Sequence, residues 1–386
     1  MEKIKALSLC NAVLQNFRIE ENNTAFKEYY PVLEKDRKDC YLWAYFTAAG
    51  MLYHACKTGL ELQDDYRRLV EGFQYYRSSP LEDGMIKYHS ERGSSPGGGH
   101  GPCFFDDNIW VARNYLFAYE ICNEAKYLEE ARRIVTYTYT GWNEELGGLV
   151  WNENGLTPQG TVQELERGLS ANACCILVNA ILYRITGEKS YWDWAMLFYD
   201  FCKAIQDPET GIYYNGVHTL LQNGRRTAGE VNRDLWSYNS GSMILADLVI
   251  FEITGDKTYL EDAIKAAGAA HEAFLHRDDN TGLAYYKDFT WFLAIFAEGL
   301  SALKEYAADV VKPFLRTLEQ SMTFAYETYR SPAGLLPHDY VTGWRADVDG
   351  ITDCQTDPDY DRMLLTHSGT AEISCLLCEL SSEQRL

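Results

Sequence analysis

The feature that most constrains this chain is a repeated pairing of two helical patterns. A stretch that is apolar nearly all round is followed, after a short turn, by one with a polar face. Residues 40–57 are of the first kind, and residues 62–76, with Asp64-Asp65 and Arg67-Arg68, are of the second. Both place apolar residues at i, i+3 and i+4. A helix buried on most sides beside a half-solvated one reads as an inner and an outer helix. The pairing returns at 107–122 with 126–140, 169–185 with 189–205, 236–254 with 258–275, and 290–307 with 308–328. A last apolar stretch at 364–382 is left to pair with the N-terminal one at 3–17.

Two short repeats mark the joints. Ile185-Thr186-Gly187-Glu188-Lys189-Ser190-Tyr191 matches Ile253-Thr254-Gly255-Asp256-Lys257-Thr258-Tyr259, and Glu124-Ala125-Lys126-Tyr127 is a weaker third copy. In each an acid precedes the tyrosine by three and an alanine follows it by four. The glycine suits a helix C-cap, and Tyr and Ala then share one face of the next helix. After each half-polar stretch comes a glycine with a short apolar piece, at Gly84, Gly148, Gly211, Gly282 and Gly334. These read as turns into brief extended segments. Six such pairs with returning ends predict an all-α fold, an (α/α)6 barrel with short strands in the loops at one end. No shift in composition divides the chain, so residues 1–386 are expected to form one domain.

Composition excludes more than it identifies. The formal net charge is -21. Nucleic acid and anionic membranes are therefore poor partners. The apolar runs are read as too short or too polar to span a bilayer. Eleven cysteines lack the spacing of a disulfide framework, and Cys375-x-x-Cys378 has no second half to complete a zinc site. The N-terminal apolar run is too short for a signal peptide, so a cytoplasmic protein is expected. The eight histidines show no HExxH, and no G-x-S-x-G is present. No cofactor or metal is called for. Asp347, Asp349, Asp353, Asp357, Asp359 and Asp361 form an acidic run that lacks full calcium-loop spacing and is read as solvated.

The chemistry centres on Asp106-Asp107, which stand between Phe104-Phe105 and Trp110 at the start of a helical pattern. The helix N-terminus favours an ionised carboxylate, while aromatic neighbours raise the pKa of the less solvated one. Two carboxyls pushed apart in this way suit glycoside cleavage. An N-cap aspartate with a surface neighbour is the competing reading. The lead-in at residues 91–100 is a lid whose His100 reaches a ligand, or a spacer. Trp151, Tyr238 and Trp344 fall at loops or helix starts, where rings either stack on sugars or pack.

Asp106-Asp107-Asn108-Ile109-Trp110 resembles the Asp-Asp-Asn-x-Trp motif of glycoside hydrolase family 76, the endo-α-1,6-mannanases. Gly147-Gly148-Leu149-Val150-Trp151, Gly211-Ile212-Tyr213-Tyr214-Asn215-Gly216 and Trp236-Ser237-Tyr238-Asn239-Ser240-Gly241 resemble further stretches of that family, in the same order. The resemblance implies a retaining hydrolase of α-linked mannosides, with Asp106 as nucleophile and Asp107 as general acid/base. Retention needs carboxyls roughly 5 Å apart. It adds Asn108, Trp110, Asn215 and Asn239 to His100, Trp151, Tyr238 and Trp344 as residues expected to contact an oligosaccharide. The chain departs from the family at its Lys-x-Ala-x-x-Asn stretch, which falls in Glu164–Ala173 here, and at Phe292–Phe296. In both the lysine is missing. A sugar epimerase on the same scaffold and a non-catalytic sugar-binding protein remain as alternatives.

Overall fold

The structure is a computed structural model that describes residues 1–20, 22–81, 83–157, 159–222, 225–344 and 358–383. It is mostly helical. The helices are α1 (Lys3–Phe17), α2 (Leu42–Lys57), α3 (Gln63–Gly72), α4 (Phe105–Cys122), α5 (Ala125–Tyr139), α6 (Leu169–Thr186), α7 (Lys189–Lys203), α8 (Ser237–Thr254), α9 (Lys257–Phe274), α10 (Thr290–Thr328) and α11 (Leu364–Glu383). The strands are short: β1 (Arg18–Ile19), β2 (Asn22–Phe26), β3 (Arg167–Gly168), β4 (Gly216–Gln222), β5 (Arg225–Asn232), β6 (Leu275–Arg277) and β7 (Ala284–Tyr286). Two compact units are distinguished, one of residues 1–72 and 270–386, the other of residues 73–269.

In the unit of residues 73–269, α6 packs between α4 and α8, with α5 against α4 and α7 against α6. The inner helices are apolar all round and buried almost throughout, whereas α5 and α7 bury one face. The joints follow the repeat. Gly187 and Gly255 end α6 and α8 in the left-handed region, at φ 73° and 72°. Asn123 does the same for α4 at φ 53°, which explains why the third copy lacks a glycine. Ala131, Ala195 and Ala263 are all fully buried, and Tyr127 and Tyr191 nearly so.

The five glycines of the second repeat all take φ between 71° and 89°. The strand contacts Arg77–Tyr88, Trp142–Leu149 and Gln206–Tyr213 close a small hairpin after each outer helix or turn. Because α5 and α7 return the chain, the starts of α4, α6 and α8 lie at one end of this unit. Backbone bonds fasten them there: Phe105 N donates to the Trp151 carbonyl at 2.9 Å, and Leu169 N to the Asn215 carbonyl at 2.7 Å. A three-stranded antiparallel sheet, β3-β4-β5, stands at the start of α6.

In the other unit α11 packs on α2, α10 and α1, so the last helix does pair with the first. The expected pair 290–307 and 308–328 is present as two helices that meet at a kink at Ala307, at φ -138° and ψ 49°, within the span labelled α10. The helix expected to reach residue 76 is α-helical to Gly72, where a Cβ would strike the Tyr45 hydroxyl and the Thr24 carbonyl, and goes on as a 3-10 turn over Phe73–Tyr75. One expectation needs correction. Helix α6 is long and apolar enough to cross a membrane by length and composition. It is nevertheless mostly buried, packed against α4, α7 and α8.

Candidate active site

Asp106 and Asp107 occupy the first turn of α4, which Phe104 opens in extended conformation. Phe105 points inward. Its ring stacks on Tyr137 at 5.2 Å and leaves no room for a side chain at Gly141. Phe104 lies against Trp151, ring centroids 4.8 Å apart. The two aromatics that flank the acids thus anchor the helix start to the loop after α5.

Both carboxyls are half-buried. Trp110, one turn along, donates its indole N–H to Asp106 Oδ1 at 3.2 Å. Burial pushes Asp106 up to about 6, with the indole bond opposing the rise. Burial pushes Asp107 higher still, and the neighbouring Asp106 charge adds to it. Burial opposes ionisation of both carboxyls, the indole bond favours charge on Asp106, and the neighbouring charge favours the proton on Asp107. An N-terminal turn with one nucleophilic oxygen and one proton donor can act on a bond between them.

The other expected contacts divide. Trp110 is almost wholly buried, and its role toward the pair is that of a hydrogen-bond donor. Asn108 is fully buried. Its Oδ1 accepts from Tyr88 N at 2.7 Å, and its Nδ2 donates to the carbonyls of Tyr88 at 3.0 Å and Phe104 at 2.7 Å. It clamps the preceding hairpin to the helix start and has no side-chain atom left for a sugar. Asn172 makes the same clamp on α6, accepting from Leu149 N and donating to the Gly168 carbonyl. Trp151 is half-buried beside Phe104.

His100 is exposed, and its backbone exchanges two bonds with Glu91. The glycine-rich segment around it is pinned rather than free. Gly93, Gly97 and Gly99 donate backbone N–H groups to the carbonyls of Tyr75, Gln74 and Arg77. At Gly99 a Cβ would collide with the Tyr76 carbonyl. Trp344 lies in the unit of residues 1–72 and 270–386, where its indole donates to the Tyr329 carbonyl at 2.6 Å.

Asn215, Tyr238 and Asn239 come together. Asn215 Oδ1 accepts from the Tyr238 hydroxyl at 3.5 Å and Asn239 Nδ2 at 3.4 Å. Sequence reasoning missed the hub of this group, Glu166. Its Oε1 accepts from Asn232 Nδ2 at 2.8 Å and Asn215 Nδ2 at 3.3 Å, and its Oε2 lies 3.6 Å from His218 Nδ1. An acid three residues ahead of an inner helix was the available signal.

The stretch that lacks the expected lysine has a cation after all. Arg167 stands five residues before Asn172, is 2% exposed, and donates to Thr219 Oγ1 and to the carbonyls of Leu146 and Gly147. Burial lowers its pKa to about 10. Phe292–Phe296 is buried in α10.

Among the described residues, one group of metal-ligating types converges. His54 Nε2 lies 3.4 Å from Glu372 Oε1 and 3.7 Å from Glu298 Oε1, between α2, α10 and α11. An imidazole between two carboxylates is also the form of a buried ion-paired triad. Of the acidic run, residues 347–357 lie outside the described residues; Asp359 pairs with Lys35 and Arg362, and Asp361 with His338.

Comparison with known proteins follows this geometry. The family model for Glycosyl hydrolase family 76 matches residues 22–355. A stretch of 130 residues is 32% identical to Mannan endo-1,6-alpha-mannosidase DCW1 of Candida glabrata, covering 31% of this chain and 26% of that protein. Among solved structures, the glycoside hydrolase family 76 mannosidase Bt3792 from Bacteroides thetaiotaomicron superposes with a TM-score of 0.80 at 21% identity, covering 99% of each chain. An α-1,6-mannanase of Salegentibacter, in an inactive variant with two adjacent aspartates replaced by asparagine and in complex with α-1,6-mannotriose, gives a TM-score of 0.69 at 18% identity, over 97% of this chain and 99% of that one.

Proposed function

Since this chain belongs to glycosyl hydrolase family 76, we propose that it hydrolyses α-1,6-linked mannosides at Asp106 and Asp107 by a retaining, two-step mechanism. The observation that carries this reading is the adjacent pair of carboxyls in the first turn of α4, one of them held by the Trp110 indole. Asp106, held by the Trp110 indole, supplies the carboxylate that attacks the anomeric carbon. Asp107, with the higher pKa, protonates the departing oxygen, which leaves as an alcohol. Attack yields a glycosyl ester on Asp106. Asp107, now a carboxylate, takes a proton from water, and the water oxygen displaces Asp106 with the configuration restored. The Salegentibacter enzyme, inactive when two adjacent aspartates are replaced, supports the assignment by analogy. Glu166, Asn215 and Tyr238 are the groups we assign to sugar hydroxyls, with the wholly buried Asn239 holding Asn215 in place.

The helix pairs support closure as an (α/α)6 barrel. The family match runs from 22 to 355 through residues of both units, which supports reading the chain as one functional domain.

The test is hydrolysis of α-1,6-mannotriose by the wild type and by Asp106→Asn and Asp107→Asn, with product configuration followed by proton NMR. Each variant is expected to lose roughly 10³-fold or more in kcat, and the first product is expected to keep the α-configuration. Azide is expected to restore turnover to Asp107→Ala with an α-mannosyl azide as product, whereas any azide product from Asp106→Ala should be the β-anomer. Near-wild-type rates in both asparagine variants would remove the assignment and favour chemistry that needs no acid pair.

A further inference from the structure

Three donor side chains converge inside the unit of residues 1–72 and 270–386. His54 stands in the last turn of α2, Glu298 in α10 before its kink, and Glu372 in α11. Helix α11 packs on both of the others. One ligand atom from each residue, His54 Nε2 and a carboxylate oxygen of each glutamate, lies within 4.8 Å of the other two. The side chains of His54, Glu298 and Glu372 are 9%, 11% and 4% exposed. Packing closes the cluster, and its residual access to solvent is at His54 and Glu298.

The distances favour an ion over a shared proton. His54 Nε2 stands 3.4 Å from Glu372 Oε1 and 3.7 Å from Glu298 Oε1. An N–H···O hydrogen bond runs at about 2.7–3.2 Å, so both contacts are too long to be one. Ligands held about 2.1 Å from a tetrahedral ion stand about 3.4 Å apart. Charge points the same way. A proton on the imidazole balances one of the two carboxylates, whereas a divalent cation balances both and leaves the imidazole neutral to bind it. So does space. Gly50 lies one turn before His54 on the same face of α2, and a Cβ there would come to 3.4 Å from Glu372 Oε2 and 3.5 Å from Oε1. The bare glycine leaves room beside that carboxylate for a water to complete the coordination.

The donor set narrows the ion. Calcium and magnesium take oxygen ligands, and copper(I) takes thiolate or thioether. One imidazole nitrogen with two carboxylate oxygens suits a divalent first-row transition ion, of which zinc, with no geometric demand from its d-electrons, is the simplest case. We propose that His54, Glu298 and Glu372 together bind one such ion, which fastens α2, α10 and α11 to one another. The inference stands apart from the hydrolase reading, since none of the three residues belongs to the acid pair or to the groups assigned to sugar.

The experiment uses the full chain, stripped with EDTA and then titrated with zinc chloride. Calorimetry is expected to show a site that takes one zinc per chain. Zinc at about a hundredfold excess over its Kd is expected to raise the Tm by about 3 °C. Glu298→Gln keeps the shape of the side chain and removes a charged ligand. It is expected to weaken binding by roughly a hundredfold or more, at or beyond the loss typical of an outer-shell partner. The chain's cysteines and other histidines can also take zinc. Wild-type crystals soaked in zinc are therefore examined by anomalous diffraction at the zinc edge, which needs no variant to fold. A peak between the three side chains sustains the site. Peaks at thiols alone, no peak at all, or equal zinc affinity in wild type and Glu298→Gln would overturn it and leave a buried ion-paired triad. No readout involves hydrolysis, so failure here is distinct from failure of the Asp106 and Asp107 assignment.

Discussion

Trp110 joins the residue scale to the chemistry. An indole bonded to a carboxylate favours its ionised form, and the proposed reaction needs Asp106 ionised. Activity should therefore fall as the pH drops through about 6, and fall again at high pH as Asp107 loses its proton. Trp110→Phe removes the donor while keeping most of the buried surface. Its acidic limb is expected to move up by about one pH unit, since a hydrogen bond to a charged group contributes about 1.5–3 kcal/mol. KM for α-1,6-mannotriose should hold steady; a rise in KM with an unmoved limb would mean that the ring stacks on sugar instead.

The pair also strains the fold. Burial raises both carboxyls above their unfolded values, so the folded state binds more protons and stability falls as pH rises from about 4. Asp106→Asn is thus expected to raise the Tm at pH 7 by about 2 °C or more, with the gain vanishing near pH 4. A gain that is the same at both pH values would refute this account. The acid pair was legible from sequence because aromatic residues surround it. Asn108 was not read correctly as to use: its place in a motif says nothing of where its amide bonds go, and they go to backbone.

At the scale of elements, the joints carry the legible signal. Gly187 caps α6 with open space around it, so Gly187→Ala should cost only the left-handed penalty, about 1–2 kcal/mol. Gly148 has the same handedness, but a Cβ there would run into the Phe201 ring. Gly148→Ala should cost clearly more, as denaturant unfolding of the two variants can decide; equal costs would mean that the Phe201 ring gives way freely. The break at Ala307 falls where the two helical patterns were expected to part, yet no glycine or proline marks it. The β4–β5 hairpin was underread. An Asn-Gly pair at 223–224, a strong hairpin signal, stood in the sequence between its strands. The helical periodicity of α7 and α8 on either side masks it.

At the scale of the whole molecule, alternation of buried and half-buried helices was readable because an inner helix must be apolar all round and an outer one cannot be. What sequence could not supply was the partner of each polar atom. The contacts of Glu166 arise from segments far apart in the chain, where no periodicity operates. The net charge of -21 acts on the molecule as a whole. Self-repulsion of that size should make the Tm rise when salt goes from low to about 0.15 M, where the Debye length falls to about 8 Å. A Tm that falls over that range would show that attractive surface pairs outweigh the repulsion.

The backbone clasps from Phe105 to Trp151 and from Leu169 to Asn215 bear on how this chain can be recombined with its relatives. The opening residues of α4 and α6 are latched by the loop that follows their own outer helix, so a hairpin keeps its latch only when it is exchanged together with that loop. Crossovers at Asn123 or Gly187 fall between a helix start and the loop that holds it and sever a latch, whereas a crossover between Trp151 and Leu169 leaves both latches whole. Chimeras joined between Trp151 and Leu169 should keep a working pair of aspartates more often than chimeras joined at the left-handed Asn123 or Gly187.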